Sequence, residues 1–318
     1  MRFSVIVPLY NKAPYVRKAL KSIVNQTFQD YEVIIVNDGS TDNSLDIVNE
    51  LFERFKILNQ ENVGVAAARN NGVAKSKGEY LCFLDADDWW EPTFLEEMDR
   101  LIKEYPDAGL YATNYIYYKP GKTHVALKIE RGYMNYPEAY LRGEMPVWTG
   151  AACMPRKVFD EMGGFPKGIK LGEDFLLWAK TALRYKVAFC EKSLAYYNND
   201  VPAHLRATRN LHAPEHNMLF HLDDIEKTIN LKFETLNPKS VAWHALLDKL
   251  RVSGLLDYWL DERYHDAAAA ELAKVDWSKQ PLKAKQQYEK PIWMIKVKRS
   301  LKQIGSYFKQ KLIRLKYK

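Results

Sequence analysis

The chain has 318 residues, of which 47% are hydrophobic and 27% charged, an ordinary composition for a soluble globular protein. Its net charge of +7 arises in residues 279–318, which carry 13 Lys and Arg and one acid, whereas the rest of the chain has a net charge of −5. The basic composition therefore does not indicate a nucleic-acid-binding protein, and no nucleic-acid partner is expected.

The apolar runs and the cysteines disfavour two further classes of protein. No apolar run is as long as a membrane-spanning helix, and Pro8 interrupts an N-terminal stretch that is too short for a signal peptide. The three cysteines, Cys82, Cys153 and Cys190, lie far apart and show no metal-ligand spacing. A reducing, cytoplasmic location is therefore expected.

The first hundred residues alternate between strand and helix patterns. Strands are predicted at residues 3–8, 31–36, 55–58 and 80–84, and helices at residues 15–25, 41–54, 65–75 and 92–104. The strands are continuously apolar, as in sheets that are buried on both faces. This order predicts an α/β fold, in which helices cover a mostly parallel sheet.

The rest of the chain has a mixed part, a helical part and a basic tail. Short strands are predicted near residues 109–117, 125–129 and 151–155, helices near residues 137–142 and 175–183, and an entirely helical pattern at residues 214–274. We therefore expect four segments. Residues 1–105 and 106–213 form the two halves of one α/β domain, residues 214–278 a helical extension and residues 279–318 the tail.

Unusual segments follow three of the predicted strands, at residues 8–11, 37–42 and 85–88. In open α/β sheets, ligands bind beyond the carboxyl ends of the strands. If the sheet is parallel, all three segments face one crevice, and this convergence carries more weight than any one of them.

The last of these segments is Asp85-Ala86-Asp87-Asp88. Three carboxylates within four residues repel one another unless a positive group joins them. Hard oxygen ligands suit Mg²⁺ or Mn²⁺, and a cation bound there could hold a diphosphate. The segment therefore indicates an enzyme that acts on phosphorylated donors.

Five motifs follow one another along roughly residues 1–200: Val5-Ile6-Val7-Pro8-Leu9-Tyr10-Asn11, Ile34-Ile35-Val36-Asn37-Asp38-Gly39-Ser40-Thr41-Asp42, residues 64–72 with Ala68-Arg69-Asn70, residues 83–88 and Gly172-Glu173-Asp174. In this order they resemble the family 2 glycosyltransferases, which have the GT-A fold. The resemblance does not extend to residues 215–318. It implies transfer of one sugar from a nucleotide-sugar to an acceptor hydroxyl, with inversion at the anomeric carbon.

The resemblance implies a donor site at the strand ends, formed by Pro8, Tyr10, Asn11, Asp38, Gly39, Arg69, Asp85 and Asp87. Asp38 can accept the N3–H of uracil, which favours a UDP-sugar, although dTDP presents the same group. Gly39 lets the backbone approach the ring. The alternative for Asp38 is a turn or a helix cap. Arg69 either binds a phosphate or the donor sugar as a forked donor or is a surface arginine, and Lys12 is equally ambiguous.

Asp85 and Asp87 match the family's Asp-x-Asp motif. The resemblance implies that Asp87 is a direct ligand of Mn²⁺ or Mg²⁺, that Asp85 contacts the ribose or a metal-bound water, and that Asp88 lies around this site. The cation would stabilise the leaving nucleoside diphosphate. The alternative is that one of these acids, such as Asp88, only caps the helix that follows.

Inversion by direct displacement needs one base on the acceptor side, and the match to the family assigns this role to Asp174, with Glu173 as the fallback. The dipole of the predicted helix at residues 175–183 would keep Asp174 ionised. The alternative is that Glu173 or Asp174 only caps this helix.

Two other segments are candidates for the acceptor side. Trp148, Thr149 and Gly150 fall where similar enzymes shape the pocket for the donor sugar and the acceptor. A Trp face suits sugar C–H groups, but Trp148 is equally well explained as a core residue. His204 and Arg206 lie on a polar loop that could close over the diphosphate.

Apolar residues at positions 293, 297, 301, 304, 308, 312 and 315 line one face of a predicted helix in the tail. We rank three interpretations of residues 290–318: a basic amphipathic helix on an anionic membrane surface, a helix docked on protein, and nucleic-acid binding. The first would place the protein at the inner face of the cell membrane, beside a lipid-linked glycan acceptor. The oligomeric state is not predicted.

We therefore predict a metal-dependent inverting glycosyltransferase, acting on a glycan or lipid-linked glycan in the assembly of surface polysaccharide or lipopolysaccharide. One alternative is a sugar-phosphate nucleotidyltransferase, which needs a Gly-rich basic loop where residues 8–11 stand. Another is an inactive nucleotide-binding, membrane-associated protein, against which the intact acids count. A NAD-dependent dehydrogenase is disfavoured because no Gly-x-Gly-x-x-Gly follows the first strand.

Overall fold

The structure, a computed structural model, describes residues 1–51, 55–202, 211–233, 237–292 and 294–296. The chain divides into two compact units, residues 1–246 and 247–318. The strands are β1 Phe3–Leu9, β2 Tyr31–Asp38, β3 Lys56–Gln60, β4 Tyr80–Phe83, β5 Trp89–Trp90, β6 Ala108–Tyr118, β7 His124–Val125, β8 Gly132–Met134, β9 Ala152–Pro155 and β10 Lys186–Asn198. The helices are α1 Ala13–Val24, α2 Ser44–Leu51, α3 Val65–Ala74, α4 Phe94–Glu104, α5 Tyr136–Leu141, α6 Arg156–Met162, α7 Glu173–Arg184, α8 Asp223–Lys232, α9 Pro238–Gly254, α10 Leu256–Leu260, α11 His265–Leu272 and α12 Leu282–Glu289.

One sheet runs through the first unit in the order β3-β2-β1-β4-β9-β6-β10-β5. The strands β3, β2, β1 and β4 are parallel to one another, as are β6 and β10. The short strand β9 is antiparallel to both β4 and β6 and joins these two parallel sets. The central sheet is therefore mostly parallel and flanked by helices, which confirms the predicted α/β class.

The parallel half of the sheet is buried on both faces, as its continuous apolar runs predict. In β1, Phe3, Val5 and Val7 are fully buried, and so is Ile6 on the other side of the strand. Helix α3 packs closely against it, because a Cβ at Gly72 would lie 2.5 Å from Ile6 Cγ2. Glycine at this position therefore lets α3 approach the sheet.

An aromatic cluster fixes α7 against β4. The ring centroids of Phe83 in β4 and Phe165 in the preceding loop are 5.0 Å apart, and that of Trp178 in α7 lies 5.8 Å from Phe165. All three side chains are almost fully buried. This packing determines where the first residues of α7 lie relative to the end of β4.

Two sequence-based expectations for the second half of the sheet differ from the structure. The strand predicted at residues 125–129 is limited to His124–Val125, because the Asn114 side chain takes the place of a strand partner for Leu127. Asn114 Nδ2 donates to Leu127 O at 2.9 Å, and Leu127 N donates to Asn114 Oδ1 at 3.1 Å. The strand β10 was not predicted, since polar residues and register shifts interrupt its apolar pattern.

Helices α8 to α11 occupy most of residues 214–274, which the sequence predicts as entirely helical, but two short 3₁₀ turns, Pro214–His216 and Met218–Phe220, precede α8. In the second unit, Arg251 and Glu271 form a buried ion pair with an N–O distance of 3.2 Å. None of the helices in the described part of the chain has the length and apolar character needed to cross a bilayer. Residues 293 and 297–318, and with them most of the predicted tail helix, lie outside the described residues.

Candidate active site

Three loops leave the same edge of the sheet, because β1, β2 and β4 are parallel neighbours. Leu9 at the end of β1 pairs with Asn37 in β2, and Ile6 pairs with Phe83 in β4. The loops that follow these strands carry the three unusual segments that the sequence singled out. The parallel arrangement therefore places them at one edge.

Asn11 connects the first two of these loops. Its φ of 49° lies in the left-handed region, which Asn adopts more readily than most residues. Its Oδ1 accepts hydrogen bonds from Thr41 N at 2.8 Å and from Asp42 N at 3.2 Å. In the opposite direction, Asn11 N donates to Ser40 Oγ at 3.2 Å. Asn11 thus holds the loop that begins at Asp38.

The carboxylate of Asp38, which is 4% exposed, accepts three hydrogen bonds from the described residues. Oδ1 accepts from Gln60 Nε2 at 2.7 Å and from Val63 N at 3.0 Å, and Oδ2 accepts from Gly64 N at 3.0 Å. A carboxylate has about four acceptor sites, so one remains on Oδ2. Asp38 therefore orders the loop between β3 and α3, and its contact with a base stays a prediction.

The other predicted donor-site residues near Asp38 have different environments. Pro8 is half-buried within β1, whereas Tyr10, just beyond the strand, is 45% exposed. Gly39 has a φ of 73°, and a Cβ there would lie 3.0 Å from Asn62 N. The loop after β2 therefore needs glycine both for its backbone conformation and for its close approach to residue 62.

The three acids after β4 are held by three different elements of the fold. Each carboxylate accepts a hydrogen bond: Asp85 from Arg69 Nη2 at 2.8 Å, Asp87 from Lys12 Nζ at 2.6 Å and Asp88 from the backbone N of Asn198 at 2.7 Å. The donors belong to α3, to the residue before α1 and to the end of β10. The acid segment is therefore a junction between these elements.

Burial and mutual repulsion raise the pKa of two of these acids. Burial is the main cause for Asp87, and the charge of Asp85 adds to it, while Lys12 acts in the opposite direction. Burial also raises the pKa of Asp88 well above its usual range, with further contributions from Asp87 and Asp85. This concentration of negative charge is a property that a cation-binding site needs.

The carboxylates fit a hard divalent cation that also binds a diphosphate. In the described part of the chain, no group of three or more His, Cys, Asp or Glu side chains is arranged to hold a metal ion. Mg²⁺ usually takes one or two carboxylates together with substrate phosphates and waters, not a cage made only of protein. Asp87 and Asp85 offer such a partial ligand set.

Arg69 connects the acid segment to α7. Its Nη2 contacts Asp85, and its Nη1 lies 2.7 Å from Glu173 Oε1. The residue is 3% exposed, so the alternative that it is a surface arginine is wrong. Its Nε is buried and has no hydrogen-bond partner among the described residues, and the guanidinium lies 5.1 Å from the centroid of the Phe165 ring. A contact of Arg69 with a phosphate stays a prediction.

The first two residues of α7 are the candidate bases. Gly172 precedes them with a φ of 83°, and a Cβ there would lie 2.4 Å from the Met218 side chain. Gly172 is the N-cap residue and has no side chain to cap the helix, whereas Asp174 lies in the first turn and binds the amide of Phe175, so the capping alternative for Asp174 stays open. Burial raises the pKa of Glu173 to about 7, with a further contribution from Asp174, while Arg69 lowers it.

Asp174 is bound by neutral donors. Its Oδ2 accepts from Thr149 Oγ1 at 2.9 Å, and its Oδ1 accepts from Phe175 N at 2.8 Å. Thr149 is 1% exposed and begins a short 3₁₀ turn, so its hydroxyl is held in place. One residue of the predicted acceptor-side segment therefore orients the candidate base.

The other two residues of that segment are packed in the core. Trp148 is 4% exposed, and its ring centroid lies 5.1 Å from that of Tyr115 and 5.2 Å from that of Tyr197. A Cβ at Gly150 would lie 2.4 Å from the Trp148 indole, and Gly150 O accepts from Trp90 Nε1 at 2.6 Å. The burial agrees with the core alternative for Trp148, whose place in a sugar pocket stays a prediction.

The remaining candidates and the contacts that sequence analysis missed come from distant parts of the chain. His204 and Arg206 lie outside the described residues. The hydrogen bond of Thr149 to Asp174 spans 25 residues, and that of the Asn198 amide to Asp88 spans 110. No local pattern could have indicated either contact.

The sequence profile described as Glycosyl transferase family 2 matches residues 4–163, half of the chain. The chain belongs to this family. The glycosyltransferase GlyA of Streptococcus pneumoniae is 35% identical to this family 2 protein over 213 residues, which are 62% of this chain and 30% of GlyA. Chondroitin synthase of Pasteurella multocida is 39% identical over 139 residues, 42% of this chain and 14% of the synthase. The chain thus spans less than a third of the length of either relative.

A solved structure has the same fold as this family 2 protein. Residues 1–349 of S. aureus TarS, crystallised with UDP, superpose with a TM-score of 0.68 at 18% identity, covering 94% of this chain and 92% of that one. The predicted family and the predicted GT-A fold are therefore confirmed.

Proposed function

We propose that this family 2 glycosyltransferase moves a sugar from a UDP-sugar to a hydroxyl group of a glycan, with inversion at the anomeric carbon. One observation carries the proposal. Arg69 joins Asp85 to Glu173, and so links the acid segment after β4 to the helix start that bears Asp174. The acids suited to the cation of a diphosphate are thus connected through one arginine to the helix start that bears an acid suited to accept a proton.

The donor nucleotide would bind at the edge where β1 and β2 end. The remaining acceptor site on Asp38 Oδ2 suits the N3–H of uracil, and the exposed ring of Tyr10 is available for stacking on the base. TarS, which shares the fold, was crystallised with UDP and with UDP-GlcNAc.

A divalent cation, Mn²⁺ or Mg²⁺, would be held by Asp87, with Asp85 and Asp88 around it. When bound, it supplies positive charge to the diphosphate that leaves with the nucleoside. The protein contributes the placement of the carboxylates, since Arg69 holds Asp85 and the Asn198 amide holds Asp88.

Asp174 would act as the general base. As the acceptor oxygen attacks the anomeric carbon, the bond from that carbon to the diphosphate breaks, and the hydroxyl proton passes to the Asp174 carboxylate. Attack on the face opposite the leaving group inverts the configuration. Thr149 holds one carboxylate oxygen by its hydrogen bond and so orients Asp174. Glu173 is the fallback base, but it is 7% exposed and bound to Arg69.

The acceptor would be a glycan or a lipid-linked glycan used in the assembly of surface polysaccharide. Residues 290–318 would bring a cytoplasmic enzyme to the anionic inner face of the cell membrane. Cosedimentation of the full chain with vesicles of phosphatidylglycerol, but not with vesicles of phosphatidylcholine, is the expected result. Equal sedimentation with both, or with neither, would contradict this part of the proposal.

The central test is hydrolysis of a panel of nucleotide-sugars by the full chain with Mn²⁺ or Mg²⁺ present. We expect one UDP-sugar to be hydrolysed well above background, and both Asp87→Ala and Asp174→Ala to abolish most of this activity. Asp46→Ala, which removes an exposed acid of α2, is the matched control and should retain it. If the Asp87 and Asp174 variants both match the wild-type protein, the assignment of the site is wrong.

A further inference from the structure

Lys12 forms the contact between the start of α1 and the acid segment. Its Nζ lies 2.6 Å from Asp87 Oδ2, and the two side chains are 18% and 17% exposed. Its backbone is fixed, because Lys12 N donates to Ser44 Oγ at 2.8 Å and Lys12 O accepts from Tyr15 N and Val16 N, both at 2.9 Å. On the lysine side of this contact, the side chain of Lys12 is therefore the part that can move.

The Lys12 ammonium balances the charge of Asp87. The second cationic group near the acid segment, Arg69, has its two terminal nitrogens on Asp85 and Glu173. Asp87 lies between Asp85 and Asp88 in the chain, and its contact with the Lys12 ammonium is an ion pair of 2.6 Å. The contact thus stabilises a carboxylate that would otherwise be buried beside other acids without compensation.

An ammonium group and a divalent cation at the same carboxylate repel each other strongly in a site that is shielded from water. Arg69 cannot readily give way, because its planar guanidinium is fixed by two carboxylates at once. Lys12 differs, since its compact charge sits on a flexible four-carbon stem and can move by several ångströms without a backbone change. A diphosphate arriving at this edge would offer the ammonium another anion.

We propose that Lys12 makes cation binding at Asp87 conditional on a nucleoside diphosphate: the ammonium holds Asp87 until the diphosphate draws it away. This inference rests on the proposed function and adds to it an order of events at the donor site. The cation alone would bind weakly, and cation and nucleotide would bind cooperatively. By linkage, the nucleotide gains as much affinity from the cation as the cation gains from the nucleotide.

The test is a titration of the full chain with Mn²⁺, in which electron paramagnetic resonance measures free Mn²⁺, without and with saturating UDP. For the wild-type protein we expect UDP to tighten Mn²⁺ binding by at least about tenfold. In Lys12→Met, Mn²⁺ alone should bind about tenfold more tightly than in the wild type, and UDP should tighten Mn²⁺ binding correspondingly less than in the wild type, because only the direct contact between cation and diphosphate remains. Lys12→Arg keeps the charge and should retain most of the cooperativity.

Two further variants keep the result interpretable. Lys21→Met removes an exposed lysine of α1, the helix that follows Lys12, and should behave as the wild type. Lys12→Gln is a second neutral variant for the measurement if thermal melting shows that Lys12→Met is poorly folded. Whichever of Lys12→Met and Lys12→Gln is folded must bind Mn²⁺ more tightly than the wild type does when UDP is absent.

The outcomes separate this inference from the proposed function. If wild type and neutral variant bind Mn²⁺ equally without UDP, or respond equally to UDP, the role of Lys12 is overturned while the proposed function stands. Independent binding of Mn²⁺ and UDP by the wild type would overturn the role of Lys12 and also the proposed placement of the cation beside the diphosphate. If the wild type binds neither Mn²⁺ nor UDP in any combination, the proposed function fails as well.

Discussion

The acids after β4 and the acids that begin α7 differ in what balances their charge. After β4, Asp85 and Asp87 each contact a cationic side chain. At the start of α7, Glu173 shares Arg69 with Asp85, whereas Asp174 accepts hydrogen bonds from a hydroxyl and an amide and forms no ion pair among the described residues. The acids at the start of α7 therefore differ in their partners, because Glu173 is bound to a cation and Asp174 to neutral donors.

The largest effect should come from Asp174→Asn, which removes the proposed proton acceptor and keeps the size of the side chain. We expect kcat for sugar transfer to fall by about 10³-fold with little change in the KM for the donor, because general-base catalysis contributes about 10²–10⁴-fold. Steady-state kinetics with saturating acceptor measures both quantities. A larger loss of kcat in Glu173→Gln than in Asp174→Asn would contradict this assignment and would identify Glu173 as the base.

Asp87→Asn should have the next largest effect and act on a different quantity. The substitution removes one carboxylate from the acid segment, so we expect kcat/KM for the donor to fall by about 10²-fold and Mn²⁺ to bind more weakly. Raising the Mn²⁺ concentration should restore part of the activity of Asp87→Asn and none of that of Asp174→Asn. Equal rescue of both variants would mean that the two groups of acids do not have separate roles.

Arg69→Met tests the link between the two groups of acids. The change leaves Asp85 and Glu173 without their shared cation, and Glu173 is 7% exposed. Removing one partner of a buried ion pair is strongly destabilising, so we expect the free energy of unfolding to fall by about 3 kcal/mol. Urea unfolding measures it, with Arg17→Met, an exposed arginine of α1, as the control. Arg69→Lys should lose less, since it keeps the charge but not the fork.

The strand ends could be predicted from sequence because their signal is local. Apolar runs, the polar residues that follow them and the alternation of strand and helix are all visible within a few positions. Parallel pairing then brings Asp38 and Asp85 to one edge of the sheet, two strand spacings or roughly 10 Å apart across it. The segment Asp85–Asp88 was recognisable for the same reason, because adjacent acids directly after a buried strand repel one another unless a positive group joins them.

The partners of these residues could not be predicted, because the fold decides them. Nothing in the sequence near Arg69 shows that its Nη1 donates a hydrogen bond to Glu173, which is 104 residues away. The strand β10 was missed because its polar residues at 191–193 fall where the ladder shifts register. Its far end nevertheless supplies the amide that holds Asp88. Contacts of this kind follow from tertiary packing, which overrides local pattern.

The smallest predicted effect concerns pH and follows from Glu173. Its pKa in the folded protein is about 7, above the ordinary value of 4.5, so the folded chain binds this proton more tightly than the unfolded chain does. Between about pH 4.5 and pH 7 the free energy of unfolding should therefore fall as the pH rises, by on the order of 2 kcal/mol from this group.

Glu173→Gln isolates that contribution, because glutamine does not titrate and the other acids remain. Urea unfolding at pH 5, 6, 7 and 8 should show the wild type losing stability relative to Glu173→Gln up to about pH 7, with a constant difference above it. Two parallel curves would mean that Arg69 keeps Glu173 ionised throughout. Glu173 and Asp85 would then both be ion-paired to Arg69, and Glu173 would have a structural role and would take no part in proton transfer.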